Sequence, residues 1–245
     1  MKKKIIKLSG LHWIGNTMQR LRHGKGFGIH SPFAYSFIRN VLCEKKCGLY
    51  CYPELQRYHR WAKKLLPPSP VHPALLSIDT SRRLARIASY FNPSCFLIMG
   101  VKQGLSTASL LAVTRSSRAV VYPGDTCQHG AFSQIASELG PRITVADTPA
   151  NALRIYNESS DKQFFLLINS TSPATDADIR TSVNACLTAH GVIIMRHLRS
   201  SKAMSAMWHD SLRHMQCGMS FTNGRIGVIV ADSKLPRQDF EVWLY

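Results

Sequence analysis

Acid is scarce in this 245-residue chain: 14 Asp and Glu stand against 31 Lys and Arg. Long apolar runs are missing as well. None approaches the ~20 residues of a membrane-spanning helix, so no transmembrane segment is expected. The start, Met1-Lys2-Lys3-Lys4-Ile5-Ile6-Lys7, opens like the basic region of a secretory signal. Lys7, His12 and Asn16 then interrupt any hydrophobic stretch, and no signal peptide is expected. The seven cysteines are odd in number and lack the spacing of a disulfide framework, which points to a reducing, cytoplasmic compartment. Disorder is excluded by composition, with 45% hydrophobic and 18% charged residues. The length suits one α/β domain, or one domain with an extension.

What the chain has is positive charge, unevenly placed. Residues 1–66 hold fourteen Lys/Arg against Glu44 and Glu54, a net of +12, and the remaining residues carry the other +5. A field of that sign attracts polyanions: RNA, DNA, an anionic membrane surface or an acidic protein. Leu11, Ile14, Met18 and Leu21 recur at helical spacing and predict an amphipathic helix over residues 9–23. After a Gly-rich link, Ser31 suits an N-cap and Pro32 the first helical position, with a helix to about Leu42. His30, beside that cap, is expected to be a local hydrogen-bonding group. Cys43, Cys47 and Cys51, spaced by four, would share one helix face. Their spacing is not that of a zinc knuckle, and Gly48 and Pro53 break the helix, so no metal site is expected. A second basic amphipathic helix is predicted over residues 54–66. The run Pro67-Pro68-Ser69-Pro70-Val71-His72-Pro73 marks a linker. The expected organisation is thus a basic helical extension, 1–73, and a main domain, 74–245.

The main domain turns on Cys95-Phe96-Leu97-Ile98-Met99-Gly100-Val101-Lys102-Gln103-Gly104-Leu105-Ser106-Thr107. An apolar strand, a glycine turn and a helix start form the opening unit of a nucleotide-binding α/β domain. Asp79 or Thr80 is expected to cap the helix that leads into it. Further apolar runs at 119–122, 143–146, 164–168 and 192–195 alternate with helical segments, predicting a parallel sheet covered on both faces. The end differs: residues 219–222 and 225–230 flank Asn223-Gly224, a strong signal for an antiparallel hairpin.

This plan resembles the class I S-adenosylmethionine (SAM) dependent methyltransferases, and more narrowly a bacterial subfamily of them. The matching stretches are Gly28-Ile29-His30-Ser31-Pro32-Phe33, Tyr90-Phe91-Asn92-Pro93, the loop around Gly100, Gly104 and Ser106-Thr107, and Gly227-Val228-Ile229 with Asp239-Phe240. The resemblance implies a Rossmann-like, mostly parallel sheet with a C-terminal antiparallel hairpin, and SAM as cofactor. It implies that Gly100, Gly104 and Ser106 line the methionine and ribose side, that Asp125 takes the ribose and Asp147 the adenine, that Asn169 is a further cofactor-binding residue, and that His197 is the candidate base. The chain departs from the family where carboxylates are expected: Ile98 precedes the loop, Asn169 follows the fourth strand, and Arg196-His197 replaces an Asp-Asp pair. Two readings follow. One is a methyltransferase with an atypical pocket. The other is a non-catalytic protein on the same scaffold that binds RNA or an acidic partner through residues 1–66.

Overall fold

The computed structural model describes residues 28–44, 48–65, 75–125, 127–159 and 163–242. The helix expected over 9–23 and the linker at 67–73 lie outside them. The described part of the extension is α1 (Pro32–Phe37), continued by a π-helical turn (Ile38–Leu42), and α2 (Tyr52–Leu65). Ser31 caps α1 as its sequence predicts, its hydroxyl accepting from the Ala34 N–H at 3.2 Å. The next helix, α3 (Ile78–Phe91), begins earlier than expected. Ser77 is its N-cap, accepting from the Thr80 N–H, and Asp79 lies inside the first turn. Asp79 is favourable there too, because a helix start attracts negative charge; composition alone did not separate the two positions.

The alternating units follow: β1 (Cys95–Met99), α4 (Leu105–Leu111), β2 (Arg118–Tyr122), α5 (His129–Leu139), β3 (Ile143–Val145), α6 (Pro149–Ser159), β4 (Phe165–Ile168), α7 (Asp176–Thr188), β5 (Val192–Arg196) and α8 (Lys202–His214). The chain ends with β6 (Met219–Thr222), β7 (Ile226–Val230) and β8 (Gln238–Glu241). Sheet order is β3-β2-β1-β4-β5-β7-β6-β8. The first five strands are parallel, and β7 is antiparallel to both β5 and β6. The hairpin therefore folds back so that its second strand docks on β5. The stretch around Asp239-Phe240 adds β8 to β6 as a parallel edge. Its short run of four residues carried too little periodicity to read as a strand.

Residues alternate between the two faces of the sheet. Phe96, Ile98, Val121, Phe165, Leu167 and Ile194 face α1 to α5. Leu97, Met99, Val120, Leu166, Ile168 and Ile193 face α6 to α8. Strands buried on both faces need unbroken apolar runs, as these have.

The extension shares the first of these cores. Ala34, Phe37, Leu42, Leu55, Tyr58 and Ala62 are buried in the same cluster as the strand residues. Phe37 packs against Tyr90, Phe91 and Phe221, its ring centroid 5.0 Å from that of Phe221. Two buried arginines of α3 add polar ties. The Nε atoms of Arg83 and Arg86 donate to the Leu42 and Val41 carbonyls at 3.1 and 2.7 Å, and Arg86 also reaches the Tyr52 hydroxyl. The last carbonyls of a helix have no partner within it, and here guanidinium groups supply one.

Phe37→Ala is therefore expected to cost about 3–5 kcal/mol, the usual range for deleting a buried phenyl ring. Urea unfolding followed by far-ultraviolet circular dichroism should give one cooperative transition at lower denaturant. Two separate transitions, with that of the sheet unmoved, would mean that the extension is an independent unit.

Candidate functional site

In open α/β sheets a ligand lies beyond the carboxyl ends of the strands, where neighbouring connections run in opposite directions. Here that place is between β1 and β4. The chain leaves β1 through Gly100, whose φ of 76° is in the left-handed region. A side chain there would also run into Ser170, whose backbone N and O lie 3.0 Å from the position of a Cβ. The loop is stitched to both neighbours. The Gly100 and Val101 N–H groups donate to the Tyr122 and Pro123 carbonyls at 2.8 and 2.6 Å, and the Asn169 N–H donates to the Met99 carbonyl at 2.8 Å.

Asn169 closes the crevice. Its Nδ2 donates to the Gly100 carbonyl at 2.7 Å and to the Ser106 hydroxyl at 3.2 Å. Its Oδ1 accepts from Arg196 Nη1 at 2.8 Å. One guanidinium–amide chain thus links the ends of β5, β4 and β1. The space left is a cavity of about 80 Å³ whose lining includes Lys102, Gln103, Ser106, Asn169, Arg196 and His197. Small-molecule pockets usually span about 300–1,000 Å³. No carboxylate is among the lining residues.

Arg196 and His197 also line a second, larger cavity of about 450 Å³, with Thr80, Arg199, Ser200 and Arg225. Burial lowers the Arg196 pKa to about 10, which leaves it charged at neutral pH. Its Nε is enclosed and has no hydrogen-bond partner among the described residues, and the same holds for Gln103 Nε2. His197 sits in the left-handed region, φ 63°, at the turn after β5. Its carbonyl accepts from the Ser200 and Ser201 N–H groups. Burial, then the Arg196 and Lys102 charges, lower its pKa to about 4. The ring is therefore neutral near pH 7.

Of the residues singled out by sequence, Gly100, Gly104, Ser106, Asn169 and His197 come together here. Asp125 and Asp147 do not. Both are exposed and lie outside the linings of these two cavities. Asp147 accepts from Asn151 Nδ2 at 2.8 Å, a bond that lowers its pKa below the usual carboxylate value. His30 is exposed beside the α1 cap, away from this crevice. Cys47 lies outside the described residues, Cys43 and Cys51 form no disulfide among the described residues, and no metal-binding group of His, Cys, Asp or Glu occurs among the described residues. Residues that sequence reasoning passed over are Lys102, Gln103, Arg199 and Arg225. Arg225 follows the Asn223-Gly224 turn, and the β5–β7 pairing sets Arg196 opposite Ile226. The hairpin signal was in the sequence; the strand it docks on was not. A separate cavity of about 300 Å³ holds Arg82, Arg83 and Arg86, but Asp79 and Glu44 share it.

The fold is that of the class I methyltransferases. It is similar to cofactor-bound Rv0187 from MTB (TM-score 0.52, 12% identity, 73% of this chain and 89% of that one). It is similar to SAH-bound Podospora anserina methyltransferase PaMTH1 (0.52, 14%, 75% and 93%). It is also similar to the O-methyltransferase TomG from Streptomyces achromogenes in complex with SAM (0.50, 12%, 80% and 95%). At such identities the likeness speaks to the fold alone. No family model matches the sequence, and no curated protein does. No helix among the described residues is long and apolar enough to cross a membrane.

A depressed histidine pKa makes the folded state bind fewer protons than the unfolded chain between about pH 4 and the ordinary value of 6.5. His197 accordingly subtracts stability as pH falls from 6.5 to about 4, and costs none above that window. His197→Asn tolerates the left-handed backbone. It should flatten the pH dependence of the urea midpoint across that window relative to the parent, in which His59 also titrates low. Parallel curves for the two proteins would contradict the neutral, enclosed ring.

Proposed function

We propose that this chain is a binding protein built on a class I methyltransferase scaffold, and that it does not transfer methyl groups from SAM. The crevice is the observation that carries this reading. It offers about 80 Å³, closed by the Asn169 bonds to Gly100 and Ser106, and its wall carries Lys102 and Arg196 with no carboxylate. The sulfonium of SAM is a cation. Two like unit charges about 4 Å apart at an effective dielectric near 20 repel by about 4 kcal/mol, roughly a thousandfold in affinity. Its adenosine would need a diol acceptor; Asp125 is exposed and lines neither cavity, and Asp147 accepts from Asn151. These residues do not fit SAM. His197 is also a weak base: general-base catalysis works best with a pKa near the operating pH, and this one is about 4.

The transferase reading has one observation in its favour. The glycine loop keeps its backbone, with Gly100, Gly104 and Gly124 all at φ between 75° and 84°, in a fold similar to SAM and SAH complexes. In that reading Gly100, Gly104, Ser106 and Asn169 border the cofactor, Asp125 and Asp147 hold adenosine, and His197 is the base. Arg196 and Lys102 would first have to leave the crevice. A polyanion partner, RNA or an acidic protein, for the basic residues 1–66 belongs with the binding-protein reading.

Calorimetric titration of the full chain with SAM and with SAH tests this. No heat at millimolar concentration is expected from either. Micromolar SAM binding that Gly104→Val abolishes would overturn the proposal in favour of the transferase. Salt-sensitive RNA binding by the same preparation would support the polyanion partner.

A further inference from the structure

We propose that the adjoining cavities around Arg196 bind a small molecule through its phosphate group. This deepens the binding-protein reading and rests on it. Arg196 and His197 line both cavities, so the two adjoin. Four cationic side chains, Lys102, Arg196, Arg199 and Arg225, converge on them. None of the four has a carboxylate partner among the described residues, and no Asp or Glu lines either cavity. The nearest acid along the chain, Asp79 beside Thr80, lines the neighbouring cavity and faces Arg82 at 3.9 Å.

Surface arginines are usually solvated and prove little. Arg196 differs, because a buried charged donor without an acceptor is costly. Its Nη1 is spent on Asn169, and its Nε is enclosed and idle. Gln103, 3% exposed on the smaller cavity, has an idle Nε2 as well. Both are donors. An oxyanion is the partner that satisfies donors and offsets the uncompensated charge together. Neutral His197 adds a ring nitrogen without adding charge, and the Thr80 and Ser200 hydroxyls border the larger lobe. Phosphate suits this set because arginine presents its N–H groups in a planar fork that matches two phosphate oxygens. The larger lobe, about 450 Å³, is of ligand size. It leaves room for an organic remainder attached to the phosphate.

The test is calorimetry of the full chain with inorganic phosphate and with AMP, at fixed ionic strength so that screening is constant. AMP is expected to bind in the micromolar range. Arg196→Gln should weaken it by about tenfold or more. The pair Arg199→Ala/Arg225→Ala, both exposed, should do the same and decides the matter if Arg196→Gln fails to fold. Arg154→Ala on α6, exposed and outside both linings, should change nothing. Inorganic phosphate as tight as AMP assigns the site to free phosphate, and AMP tighter by about tenfold assigns it to a phosphate ester. The site is overturned if neither anion binds at millimolar concentration, or if Arg154→Ala weakens binding as much as the variants at Arg196, Arg199 and Arg225 do. SAM binding in the parallel titration would end the binding-protein reading itself. Absent phosphate binding with absent SAM binding would end only this site.

Discussion

A single hydrogen bond, from Arg196 Nη1 to Asn169 Oδ1, joins the charge of this protein to its architecture. Because the amide oxygen faces Arg196, its nitrogen must face the other way, toward Gly100 and Ser106. The ends of β5, β4 and β1 are held together by that orientation. A carboxylate at position 169 would accept from Arg196 but could not donate to the Gly100 carbonyl. Asn169 and Arg196 act as one unit: the orientation of each depends on the other. Their joint effect is a crevice that is small and positive.

The surrounding scaffold tolerates this because its stability lies elsewhere. The strands are buried on both faces, and their side chains pack into two cores, one on each side of the sheet. Loops at strand ends carry function while the sheet carries the fold. The N-terminal helices strengthen the same division. They add their apolar faces to one core, and the turn that continues α1 rests its carbonyls on Arg83 and Arg86 of α3. In both places arginine is used as a buried donor. In α3 both Nε atoms are matched to carbonyls; in the crevice the Nε of Arg196 is not.

Most of the architecture was legible from residue order. Apolar runs separated by helical periodicity gave five parallel strands, Asn223-Gly224 gave the hairpin, and Ser31-Pro32 gave the start of α1. The errors were local. Ser77 rather than Asp79 or Thr80 caps α3, since several adjacent residues have capping side chains and only the backbone geometry chooses among them. The last strand, Gln238–Glu241, is decided by an available edge on β6 and not by its own pattern. The crevice was half legible. Gly100, Gly104, Ser106, Asn169 and His197 were picked out and do meet, whereas Asp125 and Asp147 have the right chemistry but lie outside it.

By itself the sequence determined the fold class, because burial pattern and turn chemistry are properties of neighbouring residues. It also determined that carboxylates would be few around the first strand's exit. Only the tertiary structure decided what stands in their place. Arg196 ends β5, Lys102 and Arg225 belong to different loops, and all three are far apart in the chain. They meet because parallel strands bring their carboxyl ends to one side, and because the antiparallel β7 begins where β5 ends. Charge adds across space, and distances across space are set by strand pairing.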